Sequence, residues 1–189
     1  MKFDQETVVL LLRESILRPR QAVRQILTVG EGLGLAFIAV GIMAILSAAI
    51  SVMLSWFSAP SGQPDMDYLL NRPFVLAALQ ALGMIIFSAV VLGVGRTFKG
   101  KGRFAQILLV VAWLDFILLF LQLAMLLLVL AIPVMGGIVL IATMCLATWL
   151  LANFIAEVHG FQSTFATLAV LIGVMLLIGM ALVQFSPPM

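Results

Sequence analysis

Asp115 is the polar side chain whose position says most about chemistry, because it lies near the middle of a long apolar segment. If that segment crosses a bilayer, an ionised carboxylate there is costly, so the acid must be protonated or paired. Gln122 lies two helical turns further on the same face, and Gln80 reaches a similar depth from the preceding apolar segment. Two interpretations stand open: these residues form a polar track for a proton or ion, or they join helices by hydrogen bonds.

A second polar group, Glu157 and His159, lies near the end of a later apolar segment. Their spacing does not place both side chains on one helical face, so a metal site is poorly supported. His159 is better explained as a favourable charge partner for a helix C-terminus. The glycine-rich stretch 93–102 lacks the Gly-Lys-Ser/Thr of a phosphate loop, and no nucleophile is paired with a base. We therefore expect no catalytic residue, no cofactor, no metal and no enzymatic activity.

The basic side chains fall into two clusters, one near the N-terminus and one in the glycine-rich sequence GRTFKGKGRF. Such clusters suit anionic headgroups, at roughly 1 kcal/mol per basic residue near the surface. The alternative is that they only fix the topology of the chain. The candidates for contact with anionic lipid or a partner are Arg20, Arg24, Arg96, Lys99, Lys101 and Arg103.

Composition places the chain in a membrane, since 64% of its 189 residues are hydrophobic and 10% are charged. Soluble domains are about 45–50% apolar. The apolar runs predict an all-α fold, an integral membrane bundle of five transmembrane helices in one domain, 31–189. The predicted spans are about 33–57, 73–94, 104–130, 134–158 and 164–185.

The segment 1–30 is predicted to be an amphipathic helical arm before the first span. Asp4 suits an N-cap, and Pro19 ends one helix and begins another. With apolar residues on one face and basic ones opposite, such an arm should lie flat on the bilayer surface. The segment lacks the short apolar core and small-residue cleavage site of a signal peptide.

Small residues recur every two turns along the first span, at Gly34, Gly41, Ala48 and Ser55. In membranes, small residues let helix backbones approach closely. The stripe is therefore a candidate packing face, either against another span of the same chain or against a second subunit or partner.

The distribution of Lys and Arg over the loops predicts the orientation. The N-terminal segment and the hinge 95–103 are basic, whereas the loop after the first span carries a single arginine and the loop after the third carries none. The positive-inside rule then places the N-terminus and the hinge in the cytoplasm and, with five spans, the C-terminus in the periplasm. The expected location is a bacterial cytoplasmic (inner) membrane.

Three segments carry a family resemblance: ILRPRQAVRQIL, FAQILLVVAWLDFILL after the basic hinge, and NFIAEVHGF. They resemble the bacterial branch of the Yip (Ypt-interacting protein) family, in element order over nearly the whole chain. The resemblance implies a five-span, non-enzymatic scaffold or adaptor that organises lipids or other membrane proteins. Expected partners are membrane lipids, mainly anionic, and other membrane proteins or a second copy, with no nucleic acid.

Two features limit what this resemblance transfers. Eukaryotic members bind prenylated Rab-type GTPases and act in vesicle traffic, and neither those partners nor those vesicles are expected in a bacterium. We also expect this chain to lack their long cytoplasmic N-terminal region. The GTPase role is therefore not transferred. The alternative function is a small transporter or lipid-translocating protein built on the polar track around Asp115.

The charge pattern makes a prediction about topology. A reporter enzyme that is active only in the periplasm should be inactive when fused within 97–103 and active when fused at the C-terminus, because basic loops stay in the cytoplasm. Fusions assayed in intact cells measure this. An active reporter at 97–103 would overturn the orientation.

Overall fold

The structure, a computed structural model, describes residues 5–30, 32–56, 64–132 and 136–185, and every element within them is an α-helix. The two arm helices come first, followed by long apolar helices with one short helix between the first two of these. In chain order they are α1 Gln5–Leu17, α2 Pro19–Val29, α3 Leu33–Ser55, α4 Pro64–Leu70, α5 Pro73–Thr97, α6 Phe104–Ala131, α7 Gly136–His159 and α8 Thr164–Phe185.

Four of these helices, α3, α5, α6 and α7, are long and apolar enough to cross a membrane. At 1.5 Å per residue, about 20 residues cover a hydrocarbon core of about 30 Å. The last helix, α8, has 22 residues, and its described apolar stretch, Thr164–Leu177, is shorter than the four helices above. Five crossings therefore remain a prediction.

The centre of the bundle is α6, because α3, α5 and α7 all pack against it. On one side α6 forms a core with α5 and α7, in which Leu150 and Phe154 are fully buried. On the other side it forms a second core with α3, around Val40 and Leu108. Large apolar side chains remain exposed on the outer helix faces, as a lipid-facing surface requires. At the edge of the bundle, α8 packs mainly on α7.

The N-terminal arm packs against the helical bundle. Its second helix, α2, lies on α7 and touches α6, and its apolar residues Ala22, Val23 and Ile26 are buried there. Trp113 of α6 donates a 2.9 Å hydrogen bond from Nε1 to Ser15 Oγ of α1. Burying a Val or Ile side chain stabilises by about 2 kcal/mol. The bundle thus covers the apolar face of α2, whereas Val9, Leu10 and Leu17 of α1 remain exposed.

The described helices lie close to the predicted spans, although α3 ends at Ser55 rather than near 57 and α5 ends later than predicted. As predicted, α2 begins at Pro19. The predicted end of the second span was near residue 94, but α5 continues to Thr97, because Gly95 packs against α7 and stays helical. Asp4 and the predicted start of the fourth span at 134 lie outside the described residues.

The face of α3 that packs inside the bundle differs from the predicted stripe of small residues. Its buried residues are Ala36, Val40, Met43, Ala44 and Ala48, so only Ala48 belongs to both sets. Gly34 is exposed, and a Cβ added at Gly34 or Gly41 would meet nothing within 4 Å. The Ser55 hydroxyl donates to its own helix, to the Val52 carbonyl. Within the chain, α3 packs through three alanines with Val40 and Met43 rather than through a glycine seam.

Candidate functional site

Hydrogen bonds tie the arm to α7 and α8 at one end of the bundle. Arg20 Nη2 donates to the Gln162 carbonyl at 3.1 Å and to Thr164 Oγ1 at 2.7 Å. The Thr164 hydroxyl donates in turn to Oδ1 of Asn153, which is buried, at 3.1 Å. We call this end, which holds α2, the hinge 95–103 and the loop 160–163, the basic end.

Arg24 forms an ion pair with Glu157, with 2.5 Å between Nε and Oε1. The hydrogen bond to Glu157 raises the pKa of the Arg24 guanidinium above its ordinary value. The Arg24 side chain is 72% exposed, so solvent screens the pair and its contribution to stability is small. Arg20 and Arg24, both candidates for lipid contact, thus have acceptors within the protein.

The C-terminus of α7 is closed by a glycine cap. Gly160 has φ 73°, in the left-handed region. The Phe161 N–H donates to the Ala156 carbonyl at 2.7 Å and the Gly160 N–H to the Glu157 carbonyl at 3.1 Å. This is the Schellman motif, in which the glycine lets the chain reverse while satisfying the last carbonyls.

The C-terminus of α5 has the same hydrogen-bond pattern without a glycine at the reversal. The Gly100 N–H donates to the Gly95 carbonyl at 2.8 Å and the Lys99 N–H to the Arg96 carbonyl at 3.0 Å. Lys99 takes the left-handed position, with φ 60°, which disfavours a residue with a Cβ by about 1 kcal/mol. The glycine of this turn is the next residue, Gly100, where a neighbouring side chain leaves no room for a Cβ.

That neighbour is His159, which lies in a cradle of glycine backbone. A Cβ added at Gly95 would lie 2.0 Å from His159 Nε2, and one added at Gly100 would lie 2.4 Å from His159 Cδ2. At Gly102 the corresponding distance to Cδ2 is 3.2 Å. The Lys101 N–H also donates to the His159 carbonyl at 3.1 Å. We call His159 with Gly95, Gly100 and Gly102 the glycine–histidine junction.

The ring of His159 is a packing group in this junction. It is 2% exposed and stacks on Phe161, with centroids 5.3 Å apart and planes 12° apart. Its Nδ1 lies 3.1 Å from the Ile155 carbonyl, whereas Nε2 is buried without a hydrogen-bond partner in the described part of the chain. Because the α5 backbone fills the space beside Nε2, the ring fastens two helix ends together rather than holding a ligand.

The glycine–histidine junction fixes the backbone of the hinge. Its glycines are fixed by contact with His159, while Arg96, Lys99, Lys101 and Arg103 are all exposed. The backbone amide of Arg103 donates to Gln106 Oε1 at 3.1 Å, which caps the start of α6. The basic side chains therefore extend from a backbone that is held on both sides.

Asp115 lies between α6 and α3, where its Oδ2 accepts a 2.7 Å hydrogen bond from Ser47 Oγ. Sequence reasoning missed Ser47, because no spacing rule pairs residues on different helices. Gln80 Oε1 is buried with no hydrogen-bond partner among the described residues. Gln122 is exposed on the outer surface of α6. The structure thus brings Asp115 to Ser47 and leaves Gln122 apart.

The fold and the site define a class: a helical membrane protein whose polar contacts gather at one end. Among the described residues, no group of three or more His, Cys, Asp or Glu could hold a metal ion. The chain belongs to the Yip family, since residues 13–184 match the Yip1 domain. This confirms the family recognised from the sequence. No curated protein and no solved structure matches the chain.

The junction predicts a sharp difference between two glycines on one helix. Gly95→Ala should destabilise the protein by about 1–3 kcal/mol, because the added methyl overlaps the His159 ring. Gly93→Ala should be neutral or slightly stabilising, because a Cβ there meets nothing within 4 Å. Thermal unfolding in detergent measures both.

A double-mutant cycle with His159→Ala checks the cause. In that background Gly95→Ala should cost little, since the ring that it overlaps is gone. Equal losses in the two backgrounds would contradict the packing described here.

Proposed function

We propose that the chain is a non-enzymatic scaffold or adaptor of a bacterial cytoplasmic membrane. In this proposal it crosses the bilayer five times, and its basic end faces the cytoplasm and organises lipids or partner membrane proteins. Membership of the Yip family and the apolar helices support a membrane role. The observation that carries the proposal is the fixed backbone of the hinge, from which exposed basic side chains extend.

Fixing the backbone matters because it keeps the charges together. The Arg96, Lys99 and Lys101 side chains follow α5 directly and are exposed, and the glycine–histidine junction holds the backbone between them. Each basic residue near an anionic surface contributes about 1 kcal/mol. Three such residues on one short, ordered segment would give the protein a clear preference for anionic neighbours.

The same contacts give Arg20 and Arg24 a different role from the one first proposed for them. Arg24 is paired with Glu157, and Arg20 with the Gln162 carbonyl and Thr164. Because both side chains are hydrogen-bonded within the protein, we assign them the role of positioning the arm. The hinge is left as the main surface for headgroups.

The outer surface of α3 supports a further part of the scaffold proposal. Gly34 and Gly41 border open space, and small residues allow the backbone of another helix to approach closely. Partner helices, from another protein or a second copy, would pack there without disturbing the two cores.

The hinge should determine lipid selectivity. In bilayers that contain spin-labelled phosphatidylglycerol or phosphatidylcholine, the parent should immobilise the anionic lipid preferentially. The triple variant Arg96→Gln, Lys99→Gln, Lys101→Gln should lose most of this preference, because the exposed charges are gone. Electron spin resonance measures the immobilised fraction.

The variant Arg20→Gln, Arg24→Gln is the matched control. It also removes arginines at the basic end, yet it should keep most of the preference, since those side chains already have protein acceptors. Unchanged selectivity in the triple variant, checked for unchanged topology, would refute the headgroup role of the hinge.

A transporter function is the second candidate, and the bond between Asp115 and Ser47 favours it. An acid with a hydroxyl donor at membrane depth suits a proton or ion site. This function requires that reconstituted parent protein conducts protons and that Asp115→Asn, which keeps a hydrogen-bonding group, abolishes the flux. A pH-sensitive dye in the vesicles measures it, with Gln122→Leu on the outer surface as the control. No flux from the parent would exclude this candidate.

A further inference from the structure

An apolar groove runs between α5 and α8. The first of these helices is held by α3 and α6 and the second by α7, and a cavity of about 660 Å³ separates them. Aliphatic side chains make up most of its walls. Those that the argument uses are Val90, Val91 and Val94 of α5 and Val170, Leu171 and Val174 of α8.

The groove is long and narrow. On α5 its lining extends from Gly83 to Phe98, which is about 22 Å at 1.5 Å per residue. This exceeds the thickness of one leaflet, about half of a 30 Å hydrocarbon core. A Cβ added at Gly83 would meet nothing within 4 Å, so the far end of the groove is open.

The lining of the groove identifies the kind of occupant. Its walls are almost wholly apolar, with aliphatic side chains on both helices. A polar group placed there would lose its water without gaining hydrogen-bond partners. The groove therefore suits a hydrocarbon chain.

The mouth of the groove lies at the basic end. Phe98, Gly160, Gln162 and Ser163 line it, and Arg20 donates to the Gln162 carbonyl. Gly95 and Phe98 both line the groove. The exposed basic residues Arg96 and Lys99 follow them directly in the sequence. An acyl chain that entered here would leave its headgroup among positive charges.

We propose that this groove binds one acyl chain of an anionic phospholipid, with the headgroup held near Arg96 and Lys99. The inference rests on the proposed function in one respect, namely that the basic end and α8 have the membrane placement given above. It adds a defined binding site to a general preference for anionic neighbours. A bound lipid would also complete the contact between α8 and α5.

Native mass spectrometry of the protein in detergent, with phosphatidylglycerol or phosphatidylcholine of identical acyl chains as the probe, tests this directly. The parent should retain one phosphatidylglycerol per chain, at least fivefold more often than phosphatidylcholine. Val90→Trp, which fills the groove, should lower retention at least fivefold. Ala89→Trp is the control, since residue 89 has the same depth on α5, is exposed and does not line the groove.

Val170→Trp fills the groove from α8 and should give the same loss as Val90→Trp. Thermal unfolding shows that each variant is folded before it is scored. Arg96→Gln with Lys99→Gln should reduce phosphatidylglycerol retention to the level of phosphatidylcholine. Equal retention by folded Val90→Trp, Val170→Trp and Ala89→Trp overturns the groove site.

The two lipid proposals fail separately. If the protein retains lipid in detergent but shows no anionic selectivity in bilayers, the groove site is supported and the headgroup role of the hinge is refuted. Selectivity in bilayers without any retained lipid would do the opposite, because the hinge acts on the surrounding bilayer and the groove acts on a single molecule.

Discussion

The contact between the His159 ring and the glycine backbone of the hinge is the constraint on which the rest of the structure depends. Without side chains at Gly95, Gly100 and Gly102, the hinge closes around the ring, which fixes the end of α5 against the end of α7. The start of α6 follows within two residues of that contact. Because α6 is the central helix, its position at this end sets its register against both cores.

The features predicted correctly from the sequence are those that depend on neighbouring residues. Pro19 at the start of α2 follows from backbone geometry, which the local sequence determines. The apolar runs likewise follow from the length that a bilayer requires. The family was recognised from continuous segments of nine or more residues.

What could not be predicted are the contacts between residues that are distant in the sequence. No spacing connects Ser47 to Asp115 or Gly95 to His159, since each pair depends on how two helices pack. The apolar face of α2 was visible in the sequence, but whether lipid or protein covers it was not. The stripe through Gly34 and Gly41 failed as an internal seam because small residues permit close packing without requiring it.

The arm joins the two ends of the chain, and this determines when it can take its place. Arg24 and Glu157 are 133 positions apart, and Arg20 and Thr164 are 144 apart. During synthesis the N-terminal segment therefore lacks most of its docking surface until α7 has left the ribosome and entered the membrane, because before that only the contacts with α6 can form. Its arrival is a late step in assembly, so an undocked arm marks a chain whose helices are still being inserted.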